Sequence, residues 1–98
     1  MPSTFELLQS KRDEILALAE KHGLKDVRVF GSVARGEDTE NSDVDILVNR
    51  IPGVSLGLKT YGFPVAMEKI LGRRVDFVVE PTLHWMIRDD VLKEARPI

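Results

Sequence analysis

Apolar residues recur at helical spacing near the start of the chain. Phe5, Leu8, Ile15, Leu16 and Ala19 share one stripe, with the stem of Arg12 between them. Ser3 and Glu6 read as a capping box ahead of that stripe, and Gly23 after His22 as its stop, which predicts one helix from about Thr4 to His22. The period then shortens to two. Val27–Phe30 is a short run of β-formers. Val44, Ile46 and Val48 alternate with Asp43 and Asp45, and Val75, Phe77 and Val79 alternate with Asp76 and Val78, so strands are expected at Val27–Phe30, Val44–Val48 and Arg74–Val79. Ser32–Gly36 has room for about one helical turn, and Glu37–Ser42 reads as a polar loop.

Beyond the second strand the period blurs, because Tyr61 and Phe63 stand among Gly53, Gly57 and Gly62. Pro64 suits the first turn of a helix running through Val65, Met67, Ile70 and Leu71 to Gly72. One longer helix kinked at Pro64 is the alternative, and a break there is preferred. Pro81–Ala95 reads as the last helix, with Leu83, Met86, Ile87 and Val91 on one side and Trp85 and Leu92 opposite. Burial of Trp85 and Leu92 within the domain is preferred over a partner surface. The order α-β-α-β-α-β-α describes a single α/β domain over residues 1–98, a small sheet flanked by helices.

Composition narrows the chemistry. Fourteen Lys and Arg against sixteen Asp and Glu give a net charge of −2, without the basic excess that phosphate backbones reward, so direct nucleic-acid binding is disfavoured. There is no cysteine, hence no thiol nucleophile or thiolate metal site, and any metal needs oxygen or imidazole ligands. No stretch has the length and apolarity of a membrane span. The opening MPSTFELLQSKRDE lacks a signal-peptide layout. A cytoplasmic protein is expected.

The informative segment is Phe30-Gly31-Ser32-Val33-Ala34-Arg35-Gly36, followed by Ser42-Asp43-Val44-Asp45-Ile46-Leu47-Val48. A glycine after a strand lets backbone donors approach an anion, Ser32 adds a hydroxyl, and Arg35 can neutralise phosphate oxygens at the same mouth. Asp43 and Asp45, one residue apart on a strand, project from one face and repel. A hard divalent cation relieves that repulsion and is typically shared with substrate phosphates. Asp76 converges on the pair if the third strand lies beside the second, completing a two-metal site. Alone, each feature has a plainer reading: a turn at Gly31-Ser32, a cap at Asn41-Ser42-Asp43, an edge-strand charge at Asp76. Their conjunction points to metal-dependent chemistry on a nucleoside triphosphate.

Gly31-Ser32, ten intervening residues and Asp43-x-Asp45 between apolar positions resemble the signature of the DNA polymerase β-like nucleotidyltransferases. The string GSVARGEDTENSDVDILV, the later RRVDFVV and the short chain resemble, within that superfamily, the minimal nucleotidyltransferase (MNT) antitoxins that accompany HEPN-domain toxins. The resemblance implies a small mixed sheet flanked by helices. It also implies transfer of AMP from ATP to a tyrosine hydroxyl of a HEPN ribonuclease toxin, which silences the toxin. Carried over, Gly31 and Ser32 hold the triphosphate, Asp43 and Asp45 coordinate two Mg²⁺ ions, and Asp76 completes the site and assists deprotonation of the acceptor. Arg35 matches the family's string, with charge stabilisation and helix anchoring both open as its role. A non-catalytic antitoxin acting by occlusion, or transfer to a small molecule such as an aminoglycoside, are the alternatives. His22 and His84 are expected as caps or surface residues rather than ligands.

Overall fold

The computed structural model describes residues 2–54 and 57–98. Four strands form a mixed sheet of order β3-β2-β1-β4, with β1 at Leu24–Phe30, β2 at Val44–Arg50, β3 at Val75–Val79 and β4 at Arg96–Pro97. β1 runs antiparallel to both β2 and β4, and β2 runs parallel to β3. Among the described residues five α-helices accompany it: α1 Thr4–Ser10, α2 Arg12–Lys21, α3 Gly31–Arg35, α4 Leu58–Leu71 and α5 Trp85–Glu94. The mixed sheet flanked by helices agrees with expectation. Among the described residues no helix is long and apolar enough to cross a membrane.

The capping box opens α1 with both arms present, Ser3 Oγ accepting from the Glu6 amide at 3.1 Å and Glu6 Oε1 from the Ser3 amide at 3.2 Å. The expected single first helix is divided at Lys11 (φ −109°, ψ 16°). Between Leu8 and Ile15 nothing is buried, and the Ser10 hydroxyl bonds back to the Leu7 carbonyl at 2.6 Å, so no packing opposes a local break.

β1 begins at Leu24, three residues before the expected Val27. The pairing register with β2 shifts between Lys25 and Arg28, and Asp26 takes φ 54°. That bulge puts Leu24 out of phase with Val27 and Val29, hiding the strand's start from a period-two reading.

The helix break expected at Pro64 does not occur, and α4 runs through it. Thr60, Phe63 and Met67 are buried at helical spacing on both sides of the proline. Their burial outweighs the local cost of about 3 kcal/mol for an interior proline. Gly72, at φ 69°, ends the helix as expected.

The last helix is also corrected. It starts at Trp85, after a 3-10 turn at Glu80–Thr82. Burial of Trp85 is overturned: the residue is 79% exposed, and Met86 and Ile87 are exposed with it. Only Val91 of this helix is buried, so α5 packs through its C-terminal half. The chain then adds β4, which the sequence pattern did not signal, and Ile98 enters the core.

The core lies between one face of the sheet (Val27, Val29, Val44, Ile46, Val48, Val75) and the side chains Leu8, Ile15, Ala19, Phe63 and Met67 of α1, α2 and α4. By strand alternation Asp45, Leu47 and Asp76 face the other way. The 3-10 turn packs on β2, and its Glu80 pairs with Arg28 of β1 at 2.6 Å, so this turn covers part of that second face.

Candidate active site

β1 ends at Phe30, and the chain turns at Gly31 (φ 71°) into the one-turn helix α3, which Gly36 closes in the left-handed region. Val33 and Ala34 anchor α3 in the core and leave Ser32 half-buried at its start. Phe30 pairs with Asp45 across β1 and β2, and Asp45 pairs in parallel register with Asp76. The condition set by the sequence is therefore met: β3 lies beside β2, and Asp76 stands next to Asp45 on the face that also receives Gly31.

Gly31 packs directly on Asp45, because a Cβ at that position would overlap the Asp45 Oδ2 atom. Gly31→Ala is expected to lower stability by about 1–3 kcal/mol, from left-handed strain and from displacement of the carboxylate. It should also impair any activity that needs Asp45 in place. Chemical denaturation of the variant checks this, and an unchanged midpoint would refute it.

Asp43 lies just before β2. Its Oδ1 accepts from Arg74 Nε at 3.0 Å, and the ladder begins beside it, with the Val44 amide donating to the Arg74 carbonyl at 2.9 Å. Behind it, Arg73 donates to the Ser42 carbonyl at 2.7 Å, the Thr39 carbonyl at 2.9 Å, Asp38 Oδ2 at 2.9 Å and Thr4 Oγ1 at 2.7 Å. One guanidinium thus ties the polar loop to the first turn of α1.

Burial, and then the carboxylates of Asp76, Asp43 and Glu94, push the pKa of Asp45 above its ordinary value against the opposing pull of Arg35. Among the described residues, no three acidic or histidine side chains form a preformed cation cage. Asp43 is paired with Arg74 instead. The donor set nonetheless suits a hard divalent cation: its donors are all oxygen, and Arg35 and Arg74 offset only part of the negative charge that Asp43, Asp45, Asp76 and Glu94 gather.

Arg35 reaches Glu94 through Nη1 and Glu37 through Nε at 3.3 Å, and Glu94 Oε2 accepts the Gly31 amide at 2.9 Å. Arg35 thus links α3 to Glu94 at the end of α5, a contact of the kind a helix-anchoring role needs.

His22 caps α2 through the Leu18 carbonyl at 2.9 Å, and His84 caps α5 through the Met86 amide at 3.2 Å. Both stand where the sequence placed them. An apolar hollow of about 280 Å³ lies between β3 and α4, walled by Tyr61, Phe77 and Val79, and includes none of the three aspartates.

The family described as "Nucleotidyltransferase domain" matches residues 13–98. The chain belongs to that family. Similar proteins agree with the assignment. The protein adenylyltransferase MntA of Thermococcus cleftensis is 43% identical over 80 residues, spanning 80% of this chain and 78% of that protein. A solved structure described as a "putative minimal nucleotidyltransferase" shares 46% identity at a TM-score of 0.81, covering 95% of this chain and 94% of the other. A crystal structure of a toxin-antitoxin with AMP-PNP, 21% identical, matches at a TM-score of 0.70 over 87% of this chain and 69% of that one. That likeness is one of fold.

Three residues of this nucleotidyltransferase domain escaped the motif reading: Arg73, Arg74 and Glu94. The two arginines sit inside the RRVDFVV string that helped carry the resemblance, so a signal existed for them. Glu94 had none, being an unremarked acid in the last turn of a helix.

Proposed function

We propose that this nucleotidyltransferase domain is a Mg²⁺-dependent protein adenylyltransferase and the antitoxin of a HEPN ribonuclease toxin. In this reading it moves AMP from ATP to a tyrosine hydroxyl of that toxin. The observation that carries the proposal is the side-by-side placement of Asp45 and Asp76 on β2 and β3, directly beneath Gly31.

Asp43, Asp45 and Asp76 would hold the Mg²⁺ ions, which when bound neutralise the triphosphate and lower the cost of charge building up on the leaving pyrophosphate. Ser32, at the start of α3, and Arg35 offer donors to the phosphates. Gly31 contributes by carrying no side chain beside Asp45, since its amide is already given to Glu94. Asp76 is exposed and accepts the proton of the incoming hydroxyl. The acceptor oxygen forms a bond to the α-phosphorus, the bond from that phosphorus to the bridging oxygen of the β-phosphate breaks, and pyrophosphate departs.

The test adds the purified chain and Mg²⁺ to lysate of the encoding cell, with ATP labelled at the α- or the γ-phosphate. Asp43→Asn/Asp45→Asn protein runs in parallel. Label from the α-position alone on one discrete protein, absent with the variant, is the expected result, and mass spectrometry then identifies the acceptor and the modified residue. If the same protein co-purified with both versions and took up no label, the chain would act by binding. Transfer of label to an aminoglycoside would redirect the reading to a small acceptor.

A further inference from the structure

Glu94 lies 63 residues from Gly31 in the chain, yet its carboxylate bridges the two residues that bound α3. Oε2 takes the Gly31 amide at 2.9 Å, and Oε1 takes Nη1 of Arg35. Two residues on, Arg96 Nη1 donates to the Ala34 carbonyl at 3.3 Å, in the last turn of the same helix. The segment Glu94-Ala95-Arg96 therefore grips α3 at both ends, an acid on the N-terminal amide and a base on a C-terminal carbonyl, the sense that a helix dipole favours. A five-residue helix cannot sustain itself, because one turn costs more conformational entropy than its few hydrogen bonds return. Its geometry must be imposed from outside.

Building on the nucleotide-binding reading above, we infer that Glu94 is a positioning residue for the triphosphate: by fixing Gly31 and Arg35 together, it sets Ser32 and the outer guanidinium edge of Arg35 where phosphates are received. Arg35 spends Nη1 on Glu94 and Nε on Glu37, and its Nη2 has no partner among the described residues. The guanidinium is thus held through two of its three nitrogens.

The contrary role would make Glu94 an internal anion that phosphate displaces. That role needs a movable arm, and Glu94 is not on one. The buried Val91 holds the helix just before it. Directly after it, Arg96 and Pro97 pair with Val29 and Arg28 of β1. The guanidinium of Arg96 lies over the Phe5 ring, 3.9 Å from its centroid, and Ile98 is buried. A carboxylate tied on both sides is built to hold.

The experiment uses the full chain with AMP-PNP and Mg²⁺ in calorimetry, together with amide hydrogen exchange of the nucleotide-free protein. Glu94→Ala is expected to bind AMP-PNP at least about tenfold more weakly than wild type, the scale for loss of a residue that orients a ligand-binding group. Its Gly31 and Ser32 amides should exchange faster, while the β2 amides keep their protection. Glu94→Gln keeps an acceptor for Gly31 and loses the charge pair with Arg35, so an intermediate affinity is expected, and this variant decides the matter if Glu94→Ala fails to fold. Glu37→Ala, which removes the other carboxylate on the same guanidinium but leaves Gly31 held, is expected to lose less than Glu94→Ala. Unchanged affinity in the Glu94 variants would overturn the inference alone, and tighter binding would make Glu94 a phosphate competitor. Wild-type protein that bound no AMP-PNP would overturn the nucleotide reading, and this inference with it.

Discussion

Asp45→Asn is expected to lower nucleotidyl transfer by roughly 10²–10³-fold and, in the absence of divalent cations, to raise the melting temperature. Both effects have one cause. Asp45 is half-buried, which disfavours its charge, and lies near Asp76, Asp43 and Glu94, with Arg35 as the opposing influence, so its pKa in the fold lies above the unfolded value. As pH rises from the ordinary carboxylate range, the unfolded chain releases this proton first. The fold loses stability across that window, and above it the ionised Asp45 stands as a constant penalty. Asparagine removes the penalty along with the charge that a cation would use. Scanning calorimetry at neutral pH in chelator checks the stability, and α-label transfer checks the activity. Added Mg²⁺ should raise the melting temperature of the wild type and leave that of the variant unmoved. Normal transfer by Asp45→Asn, or an unaltered melting temperature in chelator, would contradict this account.

Arg73→Ala is expected to cost on the order of 3 kcal/mol, the scale for stranding one partner of a mostly buried ion pair. The side chains of Arg73 and Asp38 are 16% and 11% exposed, and the same guanidinium holds Thr4, Thr39 and Ser42. Burial alone would raise the pKa of Asp38, but the Thr4 hydroxyl and Arg73 outweigh it and hold the group below its ordinary value. A carboxylate depressed in this way stabilises the fold above its unfolded pKa, and that contribution fades as pH falls through the depressed value. Wild-type stability should therefore drop on acidification below the ordinary carboxylate range, and Arg73→Ala should flatten that part of the profile. Urea titrations of both proteins at several acidic pH values measure it. Equal slopes would refute the assignment. Because Ser42 directly precedes Asp43, the loosened loop is expected to weaken transfer as well.

How legible the molecule was depended on how local each feature is. The capping box at Ser3 and Glu6, the stop at Gly72 and the turn after Phe30 depend on a few neighbouring residues, and all are found where the pattern placed them. These follow from backbone geometry, since helices repeat every 3.6 residues, strands alternate every two, and glycine alone turns left without strain. The same locality made the first three strands and the helices between them readable from the chain, while the division at Lys11 and the strand β4 were not.

What only the tertiary structure decided depends on which distant segments meet. Pro64 stays within α4 because Phe63 and Met67 are buried together, a packing energy that no local propensity contains. Trp85 is exposed because α5 packs beside α3 and is buried only at Val91, toward its other end. Asp76 stands beside Asp45 through the parallel pairing of β2 with β3. Arg73 and Glu94 find their partners across 31 to 69 residues of chain. The sequence by itself marked the candidate groups, through short-range geometry. Their convergence, and the clasp on α3, came from long-range packing, whose energy belongs to pairs of segments and is written in neither one alone.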